Sequence, residues 1–380
     1  MRRFFPRLSK MLKKNKILII IAGVILVVAA ALLLNKFVIN KRIDLKKSQA
    51  GNINVLLLGI GGGRHEGPDL SDTIIFASIN PSKNQAYLIS IPRDLWVGDI
   101  SGKINRAYAI GQEKNKQGLL LSRAVVAKVT GQNINYEVVI DFSGFVTLVD
   151  YLGGIDVNVS RTLDDYLYPV EGREEDPCGH TEEEVASLSA QIATSSAQEL
   201  GAFPCRYKHI HFDVGTIHMN GKQALEFSRS RHGLNGEGSD FARSRRQQEV
   251  IAAIKAKALA LQIILNPIKV FGIFNILKNN IDTNIQISEF DDFINLAQKM
   301  QGAKISSYVI DFGDSGAGRL GLLTQPLPSA DRGFQSILIP RVGDGNFSEI
   351  HDYVACIVGD HLCEISDDGI IKDPLPPPRK

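Results

Sequence analysis

The stretch "INVLLLGI", Ile53 to Ile60, is apolar at nearly every position. Such a run is typical of a strand buried on both faces, because a strand with one face in water alternates apolar and polar residues. Two more apolar runs follow, "DTIIFASIN" and "QAYLISIP", with the turn-forming residues 80–84 between them. The stretch therefore predicts the centre of a sheet covered on both sides.

Predicted helices and strands then alternate. The segments "GLLLSRAVVAKVTG" and "FSGFVTLVDYLGG" have helical patterns that end on glycines, and "YEVVI" and "IDVNV" are predicted strands. Strands that alternate with helices indicate a three-layer α/β domain. Residues 160–212 interrupt the alternation, and we interpret them as an insertion that decorates the fold.

The second half continues in the same way. "NGKQALEF" predicts a short helix capped by Asn220, followed by extended chain through Arg229 and a long helix from Ser239 or Asp240 to about Leu261. Residues 263–365 carry further α/β elements that either complete or flank the core. Residues 366–380 end in "KDPLPPPRK" and are predicted to be disordered.

The N-terminus predicts a membrane anchor. Residues 17–34 carry no charge and nearly span a hydrocarbon core of about 30 Å as a helix. Residues 1–16 hold seven basic side chains and no acid, which predicts a cytoplasmic tail and places everything beyond the linker 35–52 outside the cell. A cleaved signal peptide is the alternative, with small residues at 29–31, although the leucines that follow them disfavour cleavage there.

The charge balance argues against nucleic acid as a partner. The 380 residues have a net charge of +2, but without the basic tail 36 basic side chains face 41 acidic ones. A general nucleic-acid binder needs a basic surface, so this acidic body is predicted not to be one.

Four cysteines agree with an exported body. Cys178 and Cys205 bracket one segment, and Cys356 and Cys363 bracket another. Outside the cytosol this spacing suggests two disulfides, although other pairings are possible. Cys178 and the nearby histidines at 180, 209 and 211 also resemble zinc ligands, so the sequence leaves a metal site open.

Five arginines lie between Glu226 and Gln248, at positions 229, 231, 243, 245 and 246. If the chain around Arg229 and Arg231 is extended, both side chains point to one face. Arg243 falls in the first turn of the following helix, whose N-terminus favours anions. Arginine forks bind phosphate oxygens in pairs, so a multiply charged phosphate is the predicted ligand; pairing with Glu226, Glu237, Asp240 and Glu249 is the alternative.

The glycine-rich loop after Ile60 fits neither the dinucleotide fingerprint nor the P-loop, because required glycine and lysine positions are occupied by other residues. The loop carries Arg64 and Asp69, and Asp72 begins the next strand. Both carboxylates are suited to Mg²⁺, although Asp72 could merely cap the turn. The next strand ends in "IPRD", which places Arg93 and Asp94 beyond the sheet, where α/β proteins hold ligands, or where they form a surface ion pair.

These stretches, in their order along the chain, resemble the LytR-CpsA-Psr family of bacterial cell-wall proteins. The resemblance rests on "LLLGI", "SDTIIFASINP", "ISIPRD", "KINRAYAIG", "DFSGFVTLVDYLGGIDVNV", "MNGKQALEFSRSR" and "SDFARSRRQQEVI". It implies a three-layer α-β-α sandwich with a mixed central sheet, preceded by a single N-terminal transmembrane helix. The catalytic domain would cover 53–262, including the insertion.

The resemblance implies a glycopolymer phosphotransferase of the cell membrane. It would move a glycan from a polyprenyl-pyrophosphate carrier to peptidoglycan or another wall glycan, form a phosphodiester, and use Mg²⁺. The implied metal ligands are Asp72 and Asp69. The implied catalytic residues are Arg93, Arg229, Arg231 and Arg243, and we predict that Asp94 assists the attack of the acceptor hydroxyl. The implied pyrophosphate-binding residues are Arg64, Arg93, Arg229, Arg231, Arg243, Arg246 and Gln247.

One position departs from the family pattern. Gly61 stands where the family usually has a second metal-binding aspartate, and Leu70 stands where it usually has an arginine. Asp69 and Arg64 are the predicted replacements. The departure keeps two other functions open: a non-catalytic binder of anionic wall polymers and a hydrolase of the lipid pyrophosphate.

Overall fold

The computed structural model describes residues 44–63, 67–192, 196–260, 272–273, 275–314 and 318–373. The predicted cytoplasmic tail 1–16 and membrane span 17–34 lie outside this part of the chain. Within it, no helix combines the length and the apolar character needed to cross a bilayer.

The strands and helices follow the predicted alternation closely. The strands are β1 (Ile53–Ile60), β2 (Ser71–Asn80), β3 (Gln85–Ser90), β4 (Trp96–Val97), β5 (Gly102–Lys103), β6 (Tyr136–Asp141), β7 (Ile155–Val159), β8 (Leu163–Pro169), β9 (Tyr207–Phe212), β10 (Gly215–Met219), β11 (Ile281–Thr283), β12 (Lys304–Val309), β13 (Gly313–Asp314), β14 (Arg319–Leu320), β15 (Leu323–Thr324), β16 (Ile339–Pro340), β17 (Cys363–Ser366) and β18 (Gly369–Lys372). The helices are α1 (Arg106–Glu113), α2 (Gly118–Thr130), α3 (Phe142–Tyr151), α4 (Glu182–Gln191), α5 (Ser196–Ala202), α6 (Gly221–Arg229), α7 (Asp240–Ala260), α8 (Phe290–Lys299) and α9 (Ser348–Val358).

A six-stranded mixed sheet forms the centre, in the order β11-β6-β1-β2-β3-β12. Strand β1 pairs parallel with β6 and antiparallel with β2, and β12 pairs parallel with β3. Side chains of β1 alternate between two hydrophobic clusters: Leu56 and Leu58 pack against α1, α2 and α9, and Val55 and Leu57 pack toward α7 and α8. The sheet therefore has helices on both faces, which confirms the predicted α/β fold with a mixed central sheet.

A second body of apolar residues lies beside the sheet. Helices α3, α6 and α7 pack with strands β7 to β10 around residues such as Phe212 and Phe227, whose rings meet edge to face at 5.3 Å. The predicted insertion contributes Leu163, Tyr168 and Ile210 to this cluster. Its hairpin, β8 with β9, is thus part of the core.

The chain beyond residue 262 completes the central sheet, because β11 and β12 form its two edges. The boundary predicted at 262 therefore does not end the domain. The prediction of disorder from 366 is also wrong at its start: β17 and β18 pair up to Lys372, and only 374–380 lie outside the described residues.

Disulfides join Cys178 to Cys205 and Cys356 to Cys363. These are the two pairs that the spacing suggested. Because the sulfurs of Cys178 and Cys205 are bonded to each other, the alternative in which Cys178 binds zinc is wrong.

Close packing of α6 on α3 depends on Gly221. A Cβ atom there would lie 2.3 Å from the carbonyl oxygen of Val146, and the backbone N–H of Gly221 donates to Asp150 Oδ1 at 2.7 Å. We expect Gly221→Ala to lower the free energy of unfolding by about 1–3 kcal/mol, because the helices must move apart. Urea denaturation of the full-length chain measures this.

The matched control is Gly201→Ala in helix α5, where an added Cβ meets no atom within 4 Å. We expect this variant to be as stable as the wild type or slightly more so. Equal losses in the two variants would contradict the role of close packing at Gly221.

Candidate active site

A cavity of about 580 Å³ lies between the sheet and helices α3, α6 and α7. Its polar lining comes from strand and helix ends, and its apolar lining comes from farther along the same elements. The apolar lining includes Leu57, Ile75, Val138, Phe145, Leu148, Leu225, Val250, Ile251 and Ile254. The polar lining includes Asp72, Arg93, Asp141, Arg229, Arg231, Arg243 and Gln247. The cavity therefore joins a cationic mouth to an apolar channel.

Asp72 binds two arginines of the polar lining, which we call the cationic mouth. Its Oδ1 accepts a hydrogen bond from Arg93 Nη1 at 2.7 Å and another from Arg231 Nη2 at 2.8 Å. Burial alone would raise the pKa of Asp72, but the charges of Arg231, Arg93 and Arg243 outweigh burial and hold that pKa below its ordinary value. The carboxylate is therefore ionised at neutral pH and neutralises part of the charge of the arginines.

The arginine run divides into two groups. Arg229, Arg231 and Arg243 line the cavity, as predicted for an anion site. Arg245 instead pairs with Glu237 and, at 3.6 Å, with Glu249. Pairing with neighbouring carboxylates was the alternative that the sequence left open.

Arg246 belongs to the second group, which corrects the prediction that it binds pyrophosphate. It is 1% exposed and donates to the carbonyls of Phe227, Ser230 and Glu237 at 2.6–2.8 Å and to Glu237 Oε2 at 3.1 Å. Burial lowers the pKa of Arg246 to about 10 against the charge of Glu237, so it stays protonated at neutral pH. Arg246 therefore fixes the backbone that carries Arg231.

The local structure around Arg229 differs from the extended chain we predicted. Helix α6 continues through Arg229. The guanidinium carbon of Arg229 lies 3.8 Å from the centre of the Phe142 ring. Arg231 follows the helix end, where Asp165 accepts a hydrogen bond from Ser230 Oγ at 2.6 Å. Side-chain alternation on a strand thus does not bring Arg229 and Arg231 together; the helix end and its buried partners do.

The remaining predicted residues have mixed outcomes. Gln247 lines the cavity, and its Nε2 donates to Thr73 Oγ1 at 2.9 Å. Asp94 and Asp69 do not line it; Asp94 accepts from Lys103 Nζ at 2.6 Å and lies 3.5 Å from Arg93 Nε, where it supports that arginine. Arg64 lies outside the described residues.

Sequence reasoning missed several residues of the cavity. Asp141 lines it at the end of β6, and the insertion contributes Tyr168, Pro169 and Glu174. The interpretation of the insertion as decoration is therefore wrong. The signal for Asp141 was present, because a polar residue at the carboxyl end of a central parallel strand marks the usual ligand edge. No comparable signal marked the insertion.

The family model described as the LytR_cpsA_psr family matches residues 33–316. The chain belongs to the LytR-CpsA-Psr family. The match continues past residue 262, in agreement with the sheet strands that follow it.

Relatives in the LytR-CpsA-Psr family share both sequence and fold with the chain. A Bacillus cereus protein named polyisoprenyl-teichoic acid–peptidoglycan teichoic acid transferase TagU is 28% identical over 254 residues, which are 66% of this chain and 66% of that protein. The crystal structure of B. subtilis TagV has a TM-score of 0.53 at 23% identity and covers 83% of this chain and 99% of that one. A structure of TagT bound to LI-WTA has a TM-score of 0.51 at 19% identity and covers 84% and 96%. These two structures establish the fold.

Among the described residues, Asp72 fits a magnesium ion best. Mg²⁺ in phosphate sites is commonly held by one or two carboxylates and by the phosphates themselves. Asp72 is ionised and lines the mouth, whereas Asp69 does not line it, and both oxygens of Asp141 accept from Asn280 Nδ2 at 3.1 Å. Gly61, which replaces the usual aspartate of the LytR-CpsA-Psr family, also lines the cavity. The prediction of Asp69 as the replacement ligand thus finds no support in the cavity lining.

Asp72→Asn tests the charge balance of the mouth. We expect the variant to lose about 1–3 kcal/mol of unfolding free energy at pH 7, because a partly buried carboxylate that attracts Arg93, Arg231 and Arg243 is lost. The folded-state pKa of Asp72 lies below its ordinary value of 3.8, so its contribution is present above about pH 3.8 and is lost as the pH falls through the folded pKa. The difference in unfolding free energy between the wild type and Asp72→Asn should therefore become smaller in acid. Urea denaturation at a series of pH values from 7 to 3 measures this difference.

The control is Asp99→Asn, which removes an exposed carboxylate bound to Lys128 Nζ at 2.6 Å and should cost less than about 1 kcal/mol. If the difference in unfolding free energy between the wild type and Asp72→Asn grew as the pH fell, it would contradict a lowered pKa of Asp72 in the folded protein.

Proposed function

We propose that the chain is a phosphotransferase that moves an anionic glycopolymer, wall teichoic acid as the relatives' names indicate, from a polyprenyl-pyrophosphate carrier to peptidoglycan. The observation that carries this proposal is the cluster of Arg93, Arg231 and Arg243 around Asp72 at the mouth of an apolar cavity. A lipid pyrophosphate has the two matching parts: a diphosphate for the arginines and a hydrocarbon chain for the channel.

In the proposed reaction, a hydroxyl oxygen of the acceptor sugar attacks the phosphorus atom that bears the polymer. A new phosphodiester bond forms, the bond between the two phosphates breaks, prenyl phosphate leaves with the bonding electrons, and the hydroxyl proton passes to the departing phosphate or to solvent. The arginines bind the oxygens on which charge develops, which is the main contribution proteins make to phosphoryl transfer. Asp72 is a poor general base, because its lowered pKa makes it a weak proton acceptor.

We also propose that the carboxylate of Asp72 is a ligand of a magnesium ion. When bound, the ion neutralises charge on the phosphate oxygens. Arg93 and Arg231, which share Oδ1 of Asp72, hold that carboxylate in place.

The location we propose is the cell membrane, with residues 17–34 as a single span, the N-terminus in the cytoplasm and the catalytic domain outside. Two disulfides support an oxidising compartment. A carrier lipid in the same membrane would reach the apolar channel by its hydrocarbon chain.

Transfer of labelled glycopolymer from its polyprenyl-pyrophosphate carrier to peptidoglycan tests the function. We expect Arg93→Ala and Arg231→Ala in the full-length chain to lower kcat by about 10²–10³-fold, because each removes a donor to the developing charge. The control is Arg319→Ala. Arg319 does not line the cavity and pairs with Asp311 at a distance of 2.7 Å, so this variant should leave kcat unchanged.

The product decides between the proposed reaction and the two alternatives. Glycan joined to peptidoglycan by a phosphodiester supports the transferase, and free phosphorylated glycan would instead show a hydrolase. Binding without turnover in the wild type would show a scaffold for wall polymers, which is the alternative that Gly61 favours.

Ile254→Trp tests the apolar channel separately. Ile254 lines the cavity on α7, about 16 Å along the helix from Arg243. We expect the larger ring to raise KM for a long-chain prenyl donor and to leave KM for a two-isoprene donor unchanged. Ile305→Trp, which enlarges an exposed residue on β12, is the control. Equal effects on long and short donors would contradict a lipid channel.

A further inference from the structure

Two histidines and an aspartate meet on the hairpin formed by β8 and β9. Asp164 lies directly opposite His211 in the strand register, and His209 is two residues away on the same face. The carboxylate oxygen and one nitrogen of each ring lie within 4.8 Å of one another. This set is separate from the cavity, whose lining contains none of the three.

The nitrogens of both histidines lie close to the same oxygen of Asp164. Oδ1 of Asp164 contacts His209 Nε2 and lies 3.4 Å from His211 Nδ1. Tetrahedral zinc sites have metal–ligand distances of about 2.0–2.2 Å, which separates neighbouring ligand atoms by about 3.4 Å. An ion among these atoms would replace the hydrogen bonds to Asp164 without a large movement of the hairpin.

Further contacts orient both histidine rings. Nε2 of His211 lies 3.2 Å from Asp213 Oδ1, so a proton shared there leaves Nδ1 free for an ion. The ring of His209 stacks on Tyr166 at a centroid distance of 4.0 Å and an interplanar angle of 2°. Carboxylates that bind the far nitrogen of a histidine are a usual companion of metal-binding histidines.

We propose that Asp164, His209 and His211 form a binding site for a divalent transition-metal ion, with Zn²⁺ as the best match. Imidazole nitrogens suit zinc and its neighbours, whereas Mg²⁺ prefers oxygen ligands. Both histidine side chains are 43% exposed, so solvent fills the remaining coordination positions.

The site links the insertion to the cationic mouth. An ion there crosslinks β8 to β9, and β8 carries Tyr168 and Pro169 into the cavity lining. The disulfide between Cys178 and Cys205 closes the same insertion at its other end. The adjacent residue Asp165 holds Ser230 next to Arg231. The ion would therefore stiffen one rim of the cavity.

The test is titration of the metal-free full-length chain with ZnCl₂ by calorimetry, without reductant, so that the disulfides remain closed. We expect the wild type to bind one equivalent more than the His209→Ala/His211→Ala double variant. Each single variant should bind this equivalent at least tenfold more weakly. Asp213→Asn should weaken binding about 10-fold, because Asp213 holds the ring of His211 through Nε2.

His218→Ala is the matched control. His218 Nδ1 lies 2.7 Å from Asp156 Oδ1 on the paired strands β7 and β10, an exposed histidine–aspartate pair without a second histidine. We expect it to bind zinc as the wild type does. Equal stoichiometry in the wild type and the double variant, or an equal loss in His218→Ala, would overturn the proposal; equal melting temperatures of the metal-free proteins verify that the variants fold.

Discussion

The arrangement of the site depends on holding like charges together. Two guanidiniums about 4 Å apart repel each other by about 4 kcal/mol at an effective dielectric constant of 20. Arg93 follows strand β3, Arg231 follows helix α6 and Arg243 lies on helix α7, and the carboxylate of Asp72 partly offsets their mutual repulsion. Four arginines line the cavity beside the carboxylates of Asp72, Asp141 and Glu174, so arginine side chains outnumber carboxylates in the lining, which favours a phosphate ligand.

A buried polar network holds this charged group in position. Arg246 and Glu237 bind each other inside the protein, and Arg246 also binds the carbonyl of Ser230. Asp165, fully buried, accepts from the hydroxyl of the same serine. These contacts fix the chain on either side of Arg231, so its guanidinium reaches Asp72 without paying much further conformational entropy.

The apolar channel and the cationic mouth arise from the same elements. Helix α7 carries Arg243 and Gln247 near its start and Val250, Ile251 and Ile254 on later turns. Strand β2 likewise presents Asp72 at its end and Ile75 three residues further on. An amphiphilic ligand can therefore lie along one helix and one strand, with its charged group at their ends.

The layered α/β fold was predictable from the sequence alone, because apolar periodicity and helix-ending glycines are patterns of residues close together in the chain. It also indicated the family through a resemblance, suggested the two disulfide pairings that the structure contains, and singled out Asp72, Arg93, Arg231 and Arg243, which line the cavity. Which arginines of one run line the cavity could not be predicted from the sequence, because it depends on contacts between distant residues. Arg243 and Arg246 are three residues apart on one helix, and burial against Glu237 separates their roles. The sequence also did not show that the insertion lines the cavity, because contacts between residues far apart in the chain leave no local pattern.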